Sequence, residues 1–149
     1  MTIRKSLTIF FGLHFSILML IGAVTYIFGY DIAATSKGVA IPMLCALYVC
    51  HFYIKHLNRT PTKKEANVLG LFSVLASLAS SVLATLILTF IMYGSESVAV
   101  IDENLSELPF TILGGFAVFF ILIGYGVLFF TYSYLSKIVF KKKLAELEI

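Results

Sequence analysis

Four long segments without charged residues constrain this chain more than any other feature of its sequence. They give predicted helices at 6–30, 38–54, 66–94 and 108–136. About 20 helical residues cross a bilayer core of about 30 Å. The segments are continuously apolar rather than alternating, and a lipid-exposed backbone must form its hydrogen bonds internally, so helices are favoured over strands. The sequence therefore predicts an all-α membrane protein, a single domain over 1–149 built as an antiparallel four-helix transmembrane bundle.

The composition agrees with a chain embedded in lipid. It is 60% hydrophobic and 13% charged, whereas about a quarter of a soluble domain is charged. Arg4 and Lys5 precede the first segment as in a signal peptide. The apolar stretch is, however, about twice as long as a signal peptide contains, and no clear cleavage motif follows. We expect this segment to be retained as a membrane anchor.

The distribution of charge predicts the orientation in the membrane. With four crossings, the two termini and the loop after the second helix share one side, which holds ten of the eleven Lys and Arg residues: Arg4, Lys5, Lys55, Arg59, Lys63, Lys64, Lys137, Lys141, Lys142 and Lys143. Short loops rich in Lys and Arg stay in the cytoplasm. We therefore expect both termini inside, including a basic tail at 137–149.

The loop at 95–107 is predicted to lie outside. It contains no Lys or Arg and carries four acidic residues, Glu96, Asp102, Glu103 and Glu107. These acids offer a surface on which a basic partner would bind.

The loop between the second and third helices contains a recognisable helix start. Thr62 and Glu65 have the spacing of a capping box, and Pro61 keeps the preceding residue extended. The segment Arg59-Thr60-Pro61-Thr62-Lys63-Lys64-Glu65 follows the helix end HFYIKH. It resembles an uncharacterised family of small four-span proteobacterial inner-membrane proteins. The resemblance implies this fold and the bacterial inner membrane, and it implies no chemistry. The loop is either a turn at the inner leaflet or a docking site for a cytoplasmic partner.

Small residues recur along the third helix and predict close helix packing. They form two rows with four-residue spacing, and the fourth helix adds a pair of glycines: Ser73, Ser77 and Ser81; Ala76, Ser80 and Ala84; Gly114 and Gly115. Small residues let helix backbones approach closely in lipid. We expect the third helix to lie at the centre of the bundle; alternatively, one row faces another protein.

His14 is the ionisable side chain that lies well inside a predicted span. It is about 12 Å from the start of the first helix, and Ser73 and Ser77 lie at similar depth on the third. We expect a neutral imidazole that hydrogen-bonds one of these hydroxyls. A proton or ligand role is an alternative because ionisable groups in membranes are often functional, and a lipid-facing side chain is another.

The residue pattern gives no reason to expect catalysis. Cys45, Cys50 and His51 lack the spacing of a metal site, and no Asp, Glu, Lys or Arg falls within the four segments. There is also no nucleophile motif and no phosphate-binding loop. We predict that the protein is not an enzyme, has no metal or cofactor and does not bind nucleic acid.

Three functions remain open for a small bundle in the lipid bilayer. The first is an interaction protein with a membrane or periplasmic partner, in its sharpest form an immunity protein against a membrane-targeting or periplasmic toxin. The second is an accessory subunit of a transporter or secretion complex. The third is a small oligomeric transporter that uses His14.

Overall fold

The structure is a computed structural model that describes residues 2–28, 34–97, 99 and 110–147. Its first three helices are α1 (Ile3–Phe28), α2 (Ala34–Leu57) and α3 (Lys63–Tyr93), and a 3-10 turn, Gly94–Glu96, follows α3. The fourth helix, α4, consists of Phe110–Phe130, a π-helical turn at Thr131–Leu135, and Ser136–Leu147. Four helices are long and apolar enough to cross a membrane. The predicted all-α, four-helix membrane protein is therefore confirmed.

All four helices extend past the uncharged segments at the end that carries the basic residues, since α1 already begins at Ile3 and α2 ends at Leu57. α3 begins at Lys63, three residues before its predicted start, and α4 continues through Leu147, where the sequence suggested a tail. The 31 residues of α3 reach about 46 Å at 1.5 Å per residue. That length exceeds the hydrocarbon thickness, so the charged first turn of α3 can lie at the level of the head groups.

The four helices form a square bundle. α1 and α3 run in the same direction, because His14 pairs with Ser80 and Gly22 lies against Leu88. α2 packs against α1 and α4, α3 packs against α1 and α4, and α2 and α3 also touch across the centre. In the described part of the chain α1 and α4 do not pack together, so the order around the bundle is α1, α2, α4, α3.

Most of the core lies in the half of the bundle next to residues 58–62. The buried apolar side chains of this half are Phe10, Cys45, Ala46, Val49, Cys50, Tyr53, Ile54, Ala66, Leu69, Val74, Leu128 and Tyr132. In the other half, the consecutive α4 residues Val118, Phe119 and Phe120 are 58%, 57% and 58% exposed. Consecutive residues on a helix point in different directions, so this part of α4 stands away from its neighbours among the described residues.

The turn between α2 and α3 joins three helices. Asn58 ends α2 with a φ of 51°, a left-handed conformation that Asn tolerates, and its N–H donates to the carbonyl of Ile54 at 2.9 Å. Lys143 of α4 donates to that same carbonyl at 3.5 Å and to Asn58 Oδ1 at 3.0 Å. The last turn of α2 is therefore held by a cation, which is the charge that a helix C-terminus favours.

Gly70 is a point of close approach between α3 and α4. A Cβ added there would lie 3.4 Å from both the N and the Cα atoms of Phe129. Only backbone atoms are this close, so a larger side chain cannot be accommodated by rotating a neighbour. Gly70 lies seven positions, or two helical turns, before Ser77, so it lies on the same side of α3 as the predicted row of small residues that begins at Ser73.

The structure differs from the prediction at Gly114 and Gly115. Both residues are exposed, and an added Cβ at either would meet no atom of the described residues within 4 Å. The physical reason is that α4 separates from its neighbours at this level. The other predicted packing residues lie on α3, where Ser73, Ser80 and Ala84 are buried and Ala76, Ser77 and Ser81 are half-buried.

We expect Gly70→Leu to destabilise the protein, because overpacking of a close helix contact typically costs about 1–3 kcal/mol. Gly126→Leu is the matched control, because Gly126 is exposed on α4 and has open space at its Cβ position. Thermal unfolding in detergent, followed by circular dichroism, should show a lower Tm for Gly70→Leu alone. Equal Tm values for the two variants would contradict the packing described here.

Candidate functional site

The buried polar pair of α1 and α3 is formed by His14 and Ser80. His14 is 3% exposed and Ser80 fully buried, and Nδ1 of the imidazole lies 2.6 Å from Ser80 Oγ. Ser80 donates its hydroxyl proton to the carbonyl of Ser77 at 3.0 Å. Because a hydroxyl has a single proton to donate, Ser80 accepts from His14, and this network assigns the Nδ1–H tautomer to a neutral ring. Nε2 is then left as an acceptor.

The partner of His14 differs from the prediction, which named Ser73 or Ser77. Ser73 Oγ instead lies 3.0 Å from the hydroxyl oxygen of Tyr132, and Ser77 donates to the carbonyl of Val74 at 2.8 Å. The prediction counted depth from the start of each apolar run.

In the structure, residues of α1 and α3 that lie at the same depth in the bundle differ by 66 in residue number, as His14 and Ser80 do. The first residues of the two helices, Ile3 and Lys63, differ by only 60. α3 therefore starts about 9 Å before α1, at 1.5 Å per residue. This offset of six residues moves the level of His14 on α3 from Val74, which lies between Ser73 and Ser77, to Ser80.

A cavity of about 310 Å³ lies next to His14 and is lined by all four helices. α1 contributes His14, α2 contributes Pro42, α3 contributes Ser77 and Ser81, and α4 contributes Gly124. Pro42 lies inside α2, where it removes one helical hydrogen bond. The volume is at the lower end of the range for small-molecule sites. The cavity can hold a small, mainly apolar molecule that donates a hydrogen bond.

A second cavity of about 460 Å³ continues from the first one between α1 and α3. The two share Leu18 and Ser81, and the second extends to Thr25 and Met92. Thr25 Oγ1 is buried and has no hydrogen-bond partner in the described part of the protein. Buried polar atoms are usually paired, so this hydroxyl is available to a molecule in the cavity. Polar groups thus continue from His14 towards the far end of α1.

The cysteines belong to the core rather than to a metal site. Cys45 and Cys50 are free and buried, and the Cys50 thiol donates to the carbonyl of Thr131 at 3.9 Å. His51 is exposed. Within the residues that the structure describes, no three His, Cys, Asp or Glu side chains lie together as a metal site requires.

The Arg59–Glu65 segment forms a closed structure within the chain. Glu65 N donates to Thr62 Oγ1 at 3.3 Å and Thr62 N donates to Glu65 Oε2 at 2.8 Å, so the capping box is present. Arg59 donates to both Glu65 carboxylate oxygens, at 2.7 and 2.8 Å, and lies 5.5 Å from the centre of the Tyr53 ring. The hydrogen bonds from Arg59 to Glu65 raise the pKa of the guanidinium above its usual value. The polar groups of this segment are therefore used to hold the turn.

The acidic loop that is predicted to lie outside is described only at its beginning. Glu96 is exposed in the 3-10 turn that follows α3. Asp102, Glu103 and Glu107 lie outside the described residues.

Comparison of the chain with protein-family models, with curated proteins and with solved structures finds no match. The geometry around His14 and Ser80 and the exposed half of α4 are the features of the molecule that bear most directly on its function.

We expect His14 and Ser80 to be energetically coupled. In a double-mutant cycle, the free energies of unfolding of His14→Ala, Ser80→Ala and the double variant should give a coupling of about 0.6–1.7 kcal/mol, the range for hydrogen bonds between membrane helices. Unfolding would be measured in mixed micelles of mild detergent and SDS.

The matched control is a second double-mutant cycle, in which Ser73→Ala takes the place of Ser80→Ala. Because Ser73 pairs with Tyr132, its effect and that of His14→Ala should add to within about 0.5 kcal/mol. Coupling of His14 to Ser73 rather than to Ser80 would refute the assigned pair.

Proposed function

We propose that this protein is a non-catalytic interaction protein of a bacterial inner membrane. It binds a transmembrane segment of another protein through the part of α4 that stands away from its own bundle. We call this part the α4 outer surface and define it by Gly114, Gly115, Val118, Phe119 and Leu122. Its separation from the rest of the bundle is the observation that carries the proposal.

The α4 outer surface has the composition of a helix interface in lipid. Gly114 and Gly115 leave the backbone uncovered, since no other atom of the described chain lies within 4 Å of their Cβ positions. In a membrane, helices associate by close packing at small residues because lipid tails are as apolar as the side chains. Val118 and Leu122 are 58% and 64% exposed and follow Gly114 at four-residue spacing, so they continue the same face.

The buried polar groups support binding rather than catalysis. His14 pairs with Ser80, and Ser73 pairs with Tyr132. Each pair links two helices. Ser80 is fully buried and donates its proton to the carbonyl of Ser77 rather than to His14, so the imidazole does not act as a general base on this hydroxyl. These groups act as structural contacts that position α1 and α4 on α3.

We further propose that both termini lie in the cytoplasm. The beginnings of α1 and α3 and the ends of α2 and α4 lie together, since Arg4 and Lys5 share a cavity with His56 and Lys63 shares one with Lys137. Lys and Arg on short loops stay on the cytoplasmic side. The resemblance of the Arg59–Glu65 segment to small proteobacterial inner-membrane proteins supports the same location.

The partner is either a toxin or a larger complex. An immunity protein would meet a toxin that arrives from outside, and the acidic residues predicted for the external loop would favour a basic one. An accessory subunit would be associated permanently with a transporter or secretion complex. The two differ in whether the partner is present in cells that have met no toxin.

We expect a photo-reactive residue at Leu122 to form cross-links to another protein in native membranes. The control is the same residue at Leu75 of α3, which is 48% exposed but lies away from the α4 outer surface, and which should give lipid adducts only. Mass spectrometry of the adducts identifies the partner. Gly115→Leu should reduce the Leu122 cross-link without lowering Tm, because it fills space outside the chain's own packing.

Lipid adducts alone at both positions, in toxin-free cells and in cells exposed to a membrane-targeting or periplasmic toxin, would overturn the proposed interface. A cross-link to a second copy of this chain would show a homo-oligomer instead. A stoichiometric partner in toxin-free cells supports the accessory subunit, and a cross-link that requires an added toxin supports the immunity protein.

A second candidate function is a small transporter that uses His14. The observation that favours it is the pair of neighbouring cavities that share Leu18 and Ser81 and extend from His14 to Met92, with a Thr25 hydroxyl that has no partner among the described residues. Ionisable residues inside a membrane commonly mark ion or substrate pathways. His14 would be the group that accepts a proton or a ligand hydrogen bond.

For this second function, we expect purified protein in liposomes to increase proton flux above that of empty liposomes. The flux is measured with an entrapped pH-sensitive dye after a pH jump. His14→Ala should abolish the increase because His14 is the only ionisable side chain among the described residues that line the first cavity. Ser73→Ala, which lies outside both cavities, should leave it unchanged. An increase that survives His14→Ala would eliminate this role.

A further inference from the structure

A third cavity, of about 570 Å³, lies between the beginning of α1 and the end of α2. We call it the α1–α2 cavity, and it is lined by Arg4, Lys5, Thr8, Ile9, Phe52 and His56. Arg4 and Lys5 contribute two positive charges at its rim. Ile9 and Phe52 contribute an apolar wall next to them, and the Phe52 ring packs against the edge of His56 with 4.3 Å between ring centroids.

Arg4 and Lys5 of the α1–α2 cavity form no ion pair with the described side chains, a property they share with the lysines at this end of the bundle. Arg59 is paired with Glu65, the one ion pair among the described side chains, and Lys143 donates to Asn58 and Ile54. Arg4 and Lys5 lie in the first turn of α1, which contains no acidic residue. Positive charge is disfavoured at this end of a helix, so an anion bound in the cavity would remove an unfavourable interaction.

We propose that the α1–α2 cavity binds the head group of an anionic glycerophospholipid. The phosphate lies between Arg4 and Lys5, and His56 is the neighbouring group that donates a hydrogen bond to a head-group oxygen, since the Thr8 hydroxyl donates to the carbonyl of Arg4 at 3.1 Å. The glycerol and the first acyl carbons lie against Ile9 and Phe52. Basic pockets between transmembrane helices are known to bind such head groups on the cytoplasmic side. This assignment is independent of the proposed protein partner, because it concerns the opposite end of the bundle.

The position of the cavity favours a lipid over a soluble anion. It lies where α1 begins and α2 ends, at the transition from the apolar spans to the charged residues. A free phosphate would use only the cationic rim. A phospholipid uses both the rim and the apolar wall, and its acyl chains continue along the exposed surface of the bundle into the bilayer.

The test compares two double variants that remove the same charge from the same end of the protein. Arg4→Gln with Lys5→Gln alters the α1–α2 cavity. Lys64→Gln with Lys141→Gln is the matched control. Both lysines are exposed, and they line neither the α1–α2 cavity nor the cavity shared by Lys63 and Lys137. Detergent-purified protein would be titrated with phosphatidylglycerol or phosphatidylcholine of identical acyl chains, and bound lipid counted by native mass spectrometry. The Tm in lipid-free detergent shows that both variants are folded.

Wild-type protein should retain phosphatidylglycerol in preference to phosphatidylcholine. Each basic residue near a membrane surface contributes about fivefold in affinity for anionic lipid, so the Arg4/Lys5 variant should bind phosphatidylglycerol about 25-fold more weakly. The Lys64/Lys141 variant should lose no more than about twofold, because its lysines act only at a distance.

Three results would overturn the proposal. Equal losses in the two double variants would show diffuse attraction to the basic end rather than a site. Equal binding of phosphatidylcholine would remove the requirement for an anionic head group. Displacement of phosphatidylglycerol by millimolar inorganic phosphate would show that the cavity binds a soluble anion and that the acyl contacts contribute nothing.

Discussion

Hydrogen bonds from two serines of α3 determine how this bundle is assembled. Ser80 binds His14 of α1, and Ser73, one heptad earlier, binds Tyr132 of α4. A polar group within a bilayer has no water to bind, so each of these side chains needs a partner in the protein. The same face of α3 carries Gly70, which lets the α4 backbone approach. One face of one helix thus provides both the polar contacts and the close packing, and it fixes the positions of two neighbours.

The consequence is a bundle with two different ends. Near residues 58–62 the helices enclose a core, and the turn is closed by Arg59, Glu65 and Lys143. At the other end cavities replace packed side chains, and α4 stands apart in the described residues. Regions with few buried contacts have low local stability and are commonly the ones that bind and move. Both candidate functions, a helix interface on α4 and a pathway through the cavities, accordingly involve the open end.

The sequence was sufficient to predict the fold because a chain with four apolar segments can form few different folds in a lipid bilayer. It was insufficient for the partner of His14, since that depends on the 9 Å offset between α1 and α3, which no local pattern encodes. Gly114 and Gly115 show the same limit. A pair of glycines predicts that a helix can be approached closely, but not whether the approaching helix belongs to the same chain. Gly70 carried a usable signal in its spacing to Ser77, and the cavities carried none, because empty space between helices depends on all four at once.

The basic end of the protein illustrates how charge is divided between structure and environment. Arg59 and Lys143 bind groups within the chain and stabilise the turn, so their charges contribute little that a membrane could use. Arg4 and Lys5 have no such partner among the described residues and line a cavity with an apolar wall. A lipid held there would contact α1 and α2 at once and restrain the ends of both helices at the membrane surface. Since α1 is joined to α3 through His14 and Ser80, such a lipid would also stabilise the helix pair that bounds the cavities at the open end.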